Sequence, residues 1–165
     1  MKERKLGIVA FAFGQPWAIP ANYEIAQTAK RLSEEYDAPI YTQKDILFNI
    51  LPKDVEYIQE NNTPPPTLRI ARGAVQWAKR KGITTLLIIA AEPHRWRAIR
   101  DVRAAIDEKG LEIASFCHKE WGEEMKDLWF SSISSQKRTR SWWNWWSREI
   151  IARLLPFWLY KIIAR

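Results

Sequence analysis

Residues 85–98 read TLLIIAAEPHRWRA, and most of the predicted architecture can be built outward from them. The uninterrupted apolar run LLII has the length of a strand and is typical of a parallel strand that helices cover on both faces. Two alanines follow, and then Glu92, His94 and Arg97 open a helical pattern. In open α/β sheets, ligands bind outside the carboxyl ends of the strands, where helix N-termini offer free N–H groups. The stretch therefore predicts both a central strand and the position of a binding site.

Apolar strand patterns and amphipathic helix patterns alternate along the rest of the chain. Such alternation favours right-handed crossovers and a parallel sheet. Residues 43–66 show no clear period, and 54–60 suggest one or two helical turns. The predicted fold class is α/β, a three-layer Rossmann-like sandwich with a mainly parallel sheet of about four strands and a C-terminal aromatic helix. Besides the central strand, strands are predicted at 6–13, 38–42 and 111–117, and helices are predicted over 95–109 and after the caps Asn22 and Thr67.

The composition fits one globular domain. Of the 165 residues, 47% are hydrophobic and 27% are charged, which is enough apolar material for a core. The single cysteine, Cys117, excludes an intramolecular disulfide and fits a reducing compartment. Residues 1–13 imitate a signal peptide, but Gly14 and Pro16 end the apolar run early, which favours a retained first strand. We therefore predict a cytoplasmic protein, with peripheral membrane contact as an option for its tail.

The tail carries most of the charge. Residues 136–165 contain seven cations and one acid, a net charge of +6 out of +7 for the whole chain. The segment 141–165 is apolar almost all round a helical wheel, and Pro156 is expected to kink or divide it. Such a helix needs cover, which the sheet edge, a second copy, a protein partner or a membrane interface could supply. We predict an α/β domain over 1–135 and a basic, Trp-rich helical segment over 136–165 that packs on it.

The residues at the end of the central strand carry a resemblance to a known family. An apolar strand, a small-residue turn and then HRWRA at 94–98 resembles the strand-end pattern of the YdcF/SanA/ElyC-like family of α/β proteins. Thr67 and Ala71 match part of that family's upstream helix start, whereas an Ala-Ala pair replaces its usual Thr-Ser pair before the turn. The resemblance implies a Rossmann-like fold, links of some members to the bacterial envelope, and a nucleotide-like ligand such as S-adenosylmethionine. It implies no settled reaction.

Five residues form the predicted site. His94 and Arg97 share one face of a first helical turn and can hold an anion from two sides; the alternative is that Arg97 pairs with Asp101 and His94 only caps backbone groups. Gly14 is predicted to let a ligand approach the backbone, and Thr67 to cap its helix or donate to a phosphate.

Glu92 is the fifth of these residues, and it has two interpretations. It can act as a general base that also holds the His94 ring in one tautomer. Alternatively, it is a solvated turn carboxylate beside Pro93.

These residues predict a protein that binds a small anionic or nucleotide-like ligand at the carboxyl ends of the strands. If it is an enzyme, a phosphate-ester transferase or hydrolase fits best, with His94 as acid or base and Arg97 as electrostatic stabiliser. The alternative is a non-catalytic scaffold whose segment 141–165 docks on a membrane surface or a protein partner.

Other function classes find little support in the sequence. No Walker loop, G-x-G-x-x-G or G-x-S-x-G motif occurs. Two histidines and one cysteine show no ligand spacing, so no metal site is predicted. Cys117 and His118 are adjacent on a strand, so their side chains point to opposite faces and cannot pair directly. Nucleic-acid binding by the tail is disfavoured, because its Trp residues alternate with Ile and Leu and not with Lys.

Overall fold

The computed structural model describes residues 5–59 and 65–163, and its central feature is one parallel sheet. The order across the sheet is β3-β2-β1-β4-β5, and every neighbouring pair is parallel. The predicted Rossmann-like α/β class is therefore confirmed. The basic residues 1–4 at the start of the chain lie outside the described residues. The strands are β1 (Leu6–Ala10), β2 (Ile40–Thr42), β3 (Val55–Tyr57), β4 (Thr85–Ile89) and β5 (Ala114–Cys117).

The helices cover both faces of this sheet. Ile8 and Ala10 of β1 pack in one buried cluster with the first helix, whereas Val9 packs with the second and third helices on the other face. Alternate residues of β1 thus serve opposite layers, which explains why the strand is apolar throughout. The helices are α1 (Pro20–Tyr36), α2 (Thr67–Lys81), α3 (Glu92–Lys109), α4 (Met125–Leu128), α5 (Trp142–Leu154) and α6 (Phe157–Ile163), with a 3-10 turn at Lys137–Thr139.

Gly7 allows α2 to approach β1 closely. A Cβ at this position would lie 2.7 Å from Cδ1 of Ile83 and 2.9 Å from the ring of Trp77, and both neighbours are buried. Only glycine leaves room for this contact, so the helix layer packs directly on the strand.

The strand order reverses beside β1. The chain runs outward from β1 to β2 and β3, and then returns to place β4 on the other side of β1. The loops that follow β1 and β4 therefore diverge at the carboxyl edge of the sheet, where ligands bind in sheets of this kind. This edge is the position that the sequence predicts for the site.

The structure corrects several local predictions. A fifth strand, β3, lies within the region where helical turns were predicted over 54–60, of which residue 60 lies outside the described residues. A three-residue strand with Glu56 at its centre is too short to show a period. Helix α3 begins at Glu92 and not at Arg95, because Pro93 suits the first helical turn.

Two predicted helix caps are also wrong. Pro66 takes the cap position of α2, so Thr67 is its first helical residue and is free to contact another element. Asn22 lies inside α1, where its side-chain oxygen accepts the N–H of Phe13 and its amide donates to the carbonyl of Gly14. Asn22 therefore anchors the loop after β1 instead of capping a helix.

The C-terminal segment crosses the carboxyl edge of the sheet. Pro156 divides it into α5 and α6, as predicted. Trp145 of α5 joins the buried cluster on the α1 face, whereas Tyr160 of α6 packs on Leu68 of α2, on the opposite face. The two helices together therefore span the edge at which the site is predicted.

Candidate functional site

His94 lies in the first turn of α3, directly after β4, and it is enclosed. Its Nε2 lies 3.1 Å from Oγ1 of Thr67, so the structure brings two of the predicted site residues together. Its ring contacts the rings of Phe11, Phe13 and Trp145, at centroid distances of 6.0, 6.2 and 5.5 Å. Only 6% of the residue is exposed. The imidazole is therefore a buried group that α5 closes off.

The surroundings keep the imidazole neutral. Burial, followed by the positive charges of Arg97 and Arg138, holds the pKa of His94 well below its ordinary value of 6.5. Among the described residues its Nδ1 has no hydrogen-bond partner, so the carboxylate of Glu92 does not orient the ring as one hypothesis required. Glu92 is exposed, at the rim of a separate groove.

We expect His94 to make folding sensitive to mild acid. The unfolded chain protonates this histidine near pH 6.5 while the folded ring stays neutral, so stability falls as the pH drops below that value, by up to about 1.4 kcal/mol per pH unit for one proton. His94→Gln removes this contribution. Urea unfolding measured between about pH 7 and pH 5 should give a shallower pH slope for the variant than for the wild type. His118, whose pKa is also lowered by burial, is present in both proteins. If the free energy of unfolding falls equally steeply with pH in the wild type and the variant, His94 is not a neutral, buried group.

Arg97 already holds an anion from its own chain. Its Nη2 lies 3.0 Å from Oε2 of Glu149 in α5, and its guanidinium lies 4.8 Å from the ring centroid of Trp145. The side chain of Arg97 is 15% exposed and that of Glu149 is 0% exposed. The anion clamp predicted from the His94 and Arg97 spacing is thus occupied, at the arginine, by a carboxylate of the C-terminal segment.

The hydrogen-bond partners of Asp101 differ from the predicted alternative, in which Asp101 pairs with Arg97. Its carboxylate accepts hydrogen bonds from Arg100, over 2.9 and 3.0 Å, and from the hydroxyl of Tyr160 over 2.6 Å. It therefore links α3 to α6, while Arg97, one turn before it, links α3 to α5.

Gly14 is also covered by the C-terminal part of the chain. Its φ of +99° lies in the region that favours glycine. A Cβ would stand 2.5 Å from Oγ1 of Thr139 and 2.9 Å from Oγ of Ser134, two buried hydroxyls that are 2.8 Å apart. The close approach predicted for a ligand is made here by residues of the chain itself.

An open basic pocket lies beside this enclosed group. It has a volume of about 640 Å³ between the 3-10 turn and α5. Arg138 is the most buried of its cations: burial, followed by the charges of Arg97 and Arg148, lowers the pKa of its guanidinium. Its Nε donates to Oε1 of Gln136 over 3.0 Å. The described residues that line the pocket include four cations and no acid; they are Gln136, Lys137, Arg138, Arg140, Asn144, Ser147 and Arg148.

Sequence reasoning assigned these cations to tail docking and missed their place beside His94. A signal was present for Glu149, which is the only acid among residues 136–165. It also lies four residues after Trp145, so the two share a helix face. A lone acid on the same helix face as an apolar ring is a candidate for a buried ion pair, but the sequence does not identify Arg97 of α3 as its partner.

The structure also bears on the other candidate groups. Burial raises the pKa of the Cys117 thiol to about 11, which disfavours a thiolate nucleophile. Within residues 5–59 and 65–163, no group of three or more His, Cys, Asp or Glu side chains is arranged to hold a metal ion. None of the helices in these residues has the length and apolar character needed to span a membrane.

Comparison with known proteins adds no family assignment. The chain matches no protein-family model, and no curated protein shows significant sequence similarity to it. The resemblance to the YdcF/SanA/ElyC-like family stays a prediction, and the function must be inferred from the geometry.

Proposed function

We propose that this protein binds a small ligand with a phosphate or a similar multiply charged anionic group in the basic pocket beside His94. The observation that carries the proposal is the lining of the pocket, which has four cations and, among the described residues, no acid. Arg138 is partly buried there, and its hydrogen-bond partner is the neutral amide of Gln136. A desolvated guanidinium without a carboxylate partner is stabilised when an anion binds.

The chemistry of the lining favours phosphate groups. Arginine presents its donors in a planar arrangement that matches phosphate oxygens. Arg148 supplies these donors together with the terminal nitrogens of Arg138 and Arg140, whose Nε atoms donate to Gln136 and Ser134. Asn144 and Ser147 also line the pocket, where their side chains donate to the carbonyls of Lys137 and Asn144. A sulfonium ligand such as S-adenosylmethionine brings positive charge into a positive pocket, so a nucleotide or another phosphate ester is the better candidate.

Binding, and not catalysis, is the function that we propose. Transfer or hydrolysis of a phosphate ester, with His94 as acid or base and Arg97 as stabiliser, would require the ligand to reach the imidazole. Phe13 and Trp145 enclose that ring, and Glu149 neutralises Arg97. The enclosed group adds no net charge beside the pocket, because His94 is neutral and Arg97 is paired with Glu149.

Calorimetric titration with pyrophosphate and nucleoside phosphates tests this proposal. Arg138→Gln should weaken binding by about tenfold to a hundredfold, the usual effect of removing a hydrogen bond to a charged group. The matched control is Arg103→Gln, which removes an exposed cation of α3 outside the pocket and should change the affinity less than about twofold. Equal losses in both variants would show only unspecific charge attraction, and absence of binding to the wild type would overturn the proposal.

A further inference from the structure

Within the described residues, the outward face of α5 and α6 is apolar and exposed to solvent. Trp143 is 77% exposed, Leu154 is 79% exposed and Trp158 is 66% exposed. Single exposed apolar side chains are common, but a row along two consecutive helices marks an interaction surface. We call this row the outer face; it consists of Trp143, Ile150, Ile151, Leu154, Trp158 and Ile162.

The outer face has no part in the core of the domain. The opposite side of α5, with Trp145, Glu149 and Ala152, is the side that packs on the sheet edge. Burial of that side already explains how the helix is held. The apolar character of the outer face therefore needs a different reason, and an external partner supplies one.

The charge around the outer face indicates the kind of partner. Residues 136–165 carry seven cations, and their only acid, Glu149, is buried against Arg97. The described part of this segment therefore presents cations and apolar groups to solvent, but no carboxylate. A second copy would bring one +6 segment against another, which like-charge repulsion disfavours.

We propose that the outer face docks on an anionic lipid surface, with α5 and α6 lying along the membrane. Tryptophan is favoured at the boundary between headgroups and acyl chains, and neighbouring Lys and Arg bind anionic headgroups at about 1 kcal/mol each. Helix α5 has 13 residues, well short of the about 20 that cross a bilayer, so it rests in the interface. This docking goes beyond ligand binding and does not depend on it.

Vesicle flotation of the full chain tests the docking. The protein should float with vesicles of phosphatidylcholine and phosphatidylglycerol, and much less with vesicles of phosphatidylcholine alone or at high salt. Trp143→Ser combined with Leu154→Ser should lower partitioning by about tenfold or more. The matched control, Ile50→Ser combined with Leu51→Ser, removes two similarly exposed apolar side chains from the loop before β3 and should leave partitioning unchanged.

Other outcomes would overturn the docking. Equal partitioning of the wild type and the Trp143/Leu154 variant would do so, as would equal binding to neutral and anionic vesicles. Concentration-dependent dimerisation that the same variant abolishes, seen by light scattering without vesicles, would assign the outer face to a second copy. Because both substituted side chains are exposed, circular dichroism should show an unchanged fold in the variant.

Discussion

Replacing Glu149 with alanine is expected to lower the free energy of unfolding by about 3 to 5 kcal/mol. The carboxylate is fully buried 3.0 Å from the guanidinium of Arg97, and Nε of Arg153 lies 3.6 Å away on its other side. Removing it leaves the charge of Arg97 enclosed without a counter-ion. Most of the loss in free energy of unfolding comes from this uncompensated buried charge, and less from the lost contact.

Urea unfolding of the variant measures this effect, and a surface pair provides the control. Glu123→Ala breaks an ion pair with Lys126 in which the two side chains are 87% and 61% exposed, so we expect a loss below about 1 kcal/mol. The double variant Arg97→Leu/Glu149→Leu should regain most of the stability, because within the described part of the chain neither carboxylate oxygen has a well-aligned hydrogen bond that an apolar pair would lose. Similar losses for Glu149→Ala and Glu123→Ala would contradict a buried ion pair.

Trp145→Ala is expected to cost about 3 to 5 kcal/mol, the usual range for a buried tryptophan. This ring contacts Phe13 at a centroid distance of 4.6 Å and carries the guanidinium of Arg97 on its face. Its Nε1 donates to the carbonyl of Pro93 over 3.2 Å, which ties α5 to the start of α3. The substitution therefore leaves a cavity and loosens the cover over His94.

Trp143→Ala is the matched control, because this exposed tryptophan lies on the same helix. Its loss should change the free energy of unfolding by less than about 0.5 kcal/mol. Thermal and urea unfolding of the two variants compare the faces of α5 directly. If the two substitutions lower the free energy of unfolding equally, Trp145 does not hold α5 on the sheet edge and does not enclose His94.

The central part of the fold could be predicted from local patterns. The apolar run in β4, the alanine pair and the helical spacing of α3 act over a few residues, so the sequence displays them directly. The same is true of Pro156, whose effect on the helix is local. Strand β3 lacks such a signal, because three residues that include Glu56 acquire their strand pairing only from the neighbouring β2.

The candidate site could be located from the sequence but not completed. His94 and Arg97 were predicted as site residues because they follow β4 directly. The contact between His94 and Thr67 agrees with the prediction that these two residues lie in one site. The cover over them comes from residues about 50 positions later, such as Trp145 and Glu149, and no local pattern reports a contact at that separation. Arg138 appeared only as tail charge for the same reason.

A crystal structure of the protein soaked with pyrophosphate tests the central claim most directly. We predict density for the anion between Arg138 and Arg148, with Glu149 still paired to Arg97 and Trp145 still covering His94. Density beside Arg97, with the carboxylate of Glu149 displaced, would contradict this account. In that case the C-terminal segment moves away when the anion binds, and His94 and Arg97 form the anion-binding site.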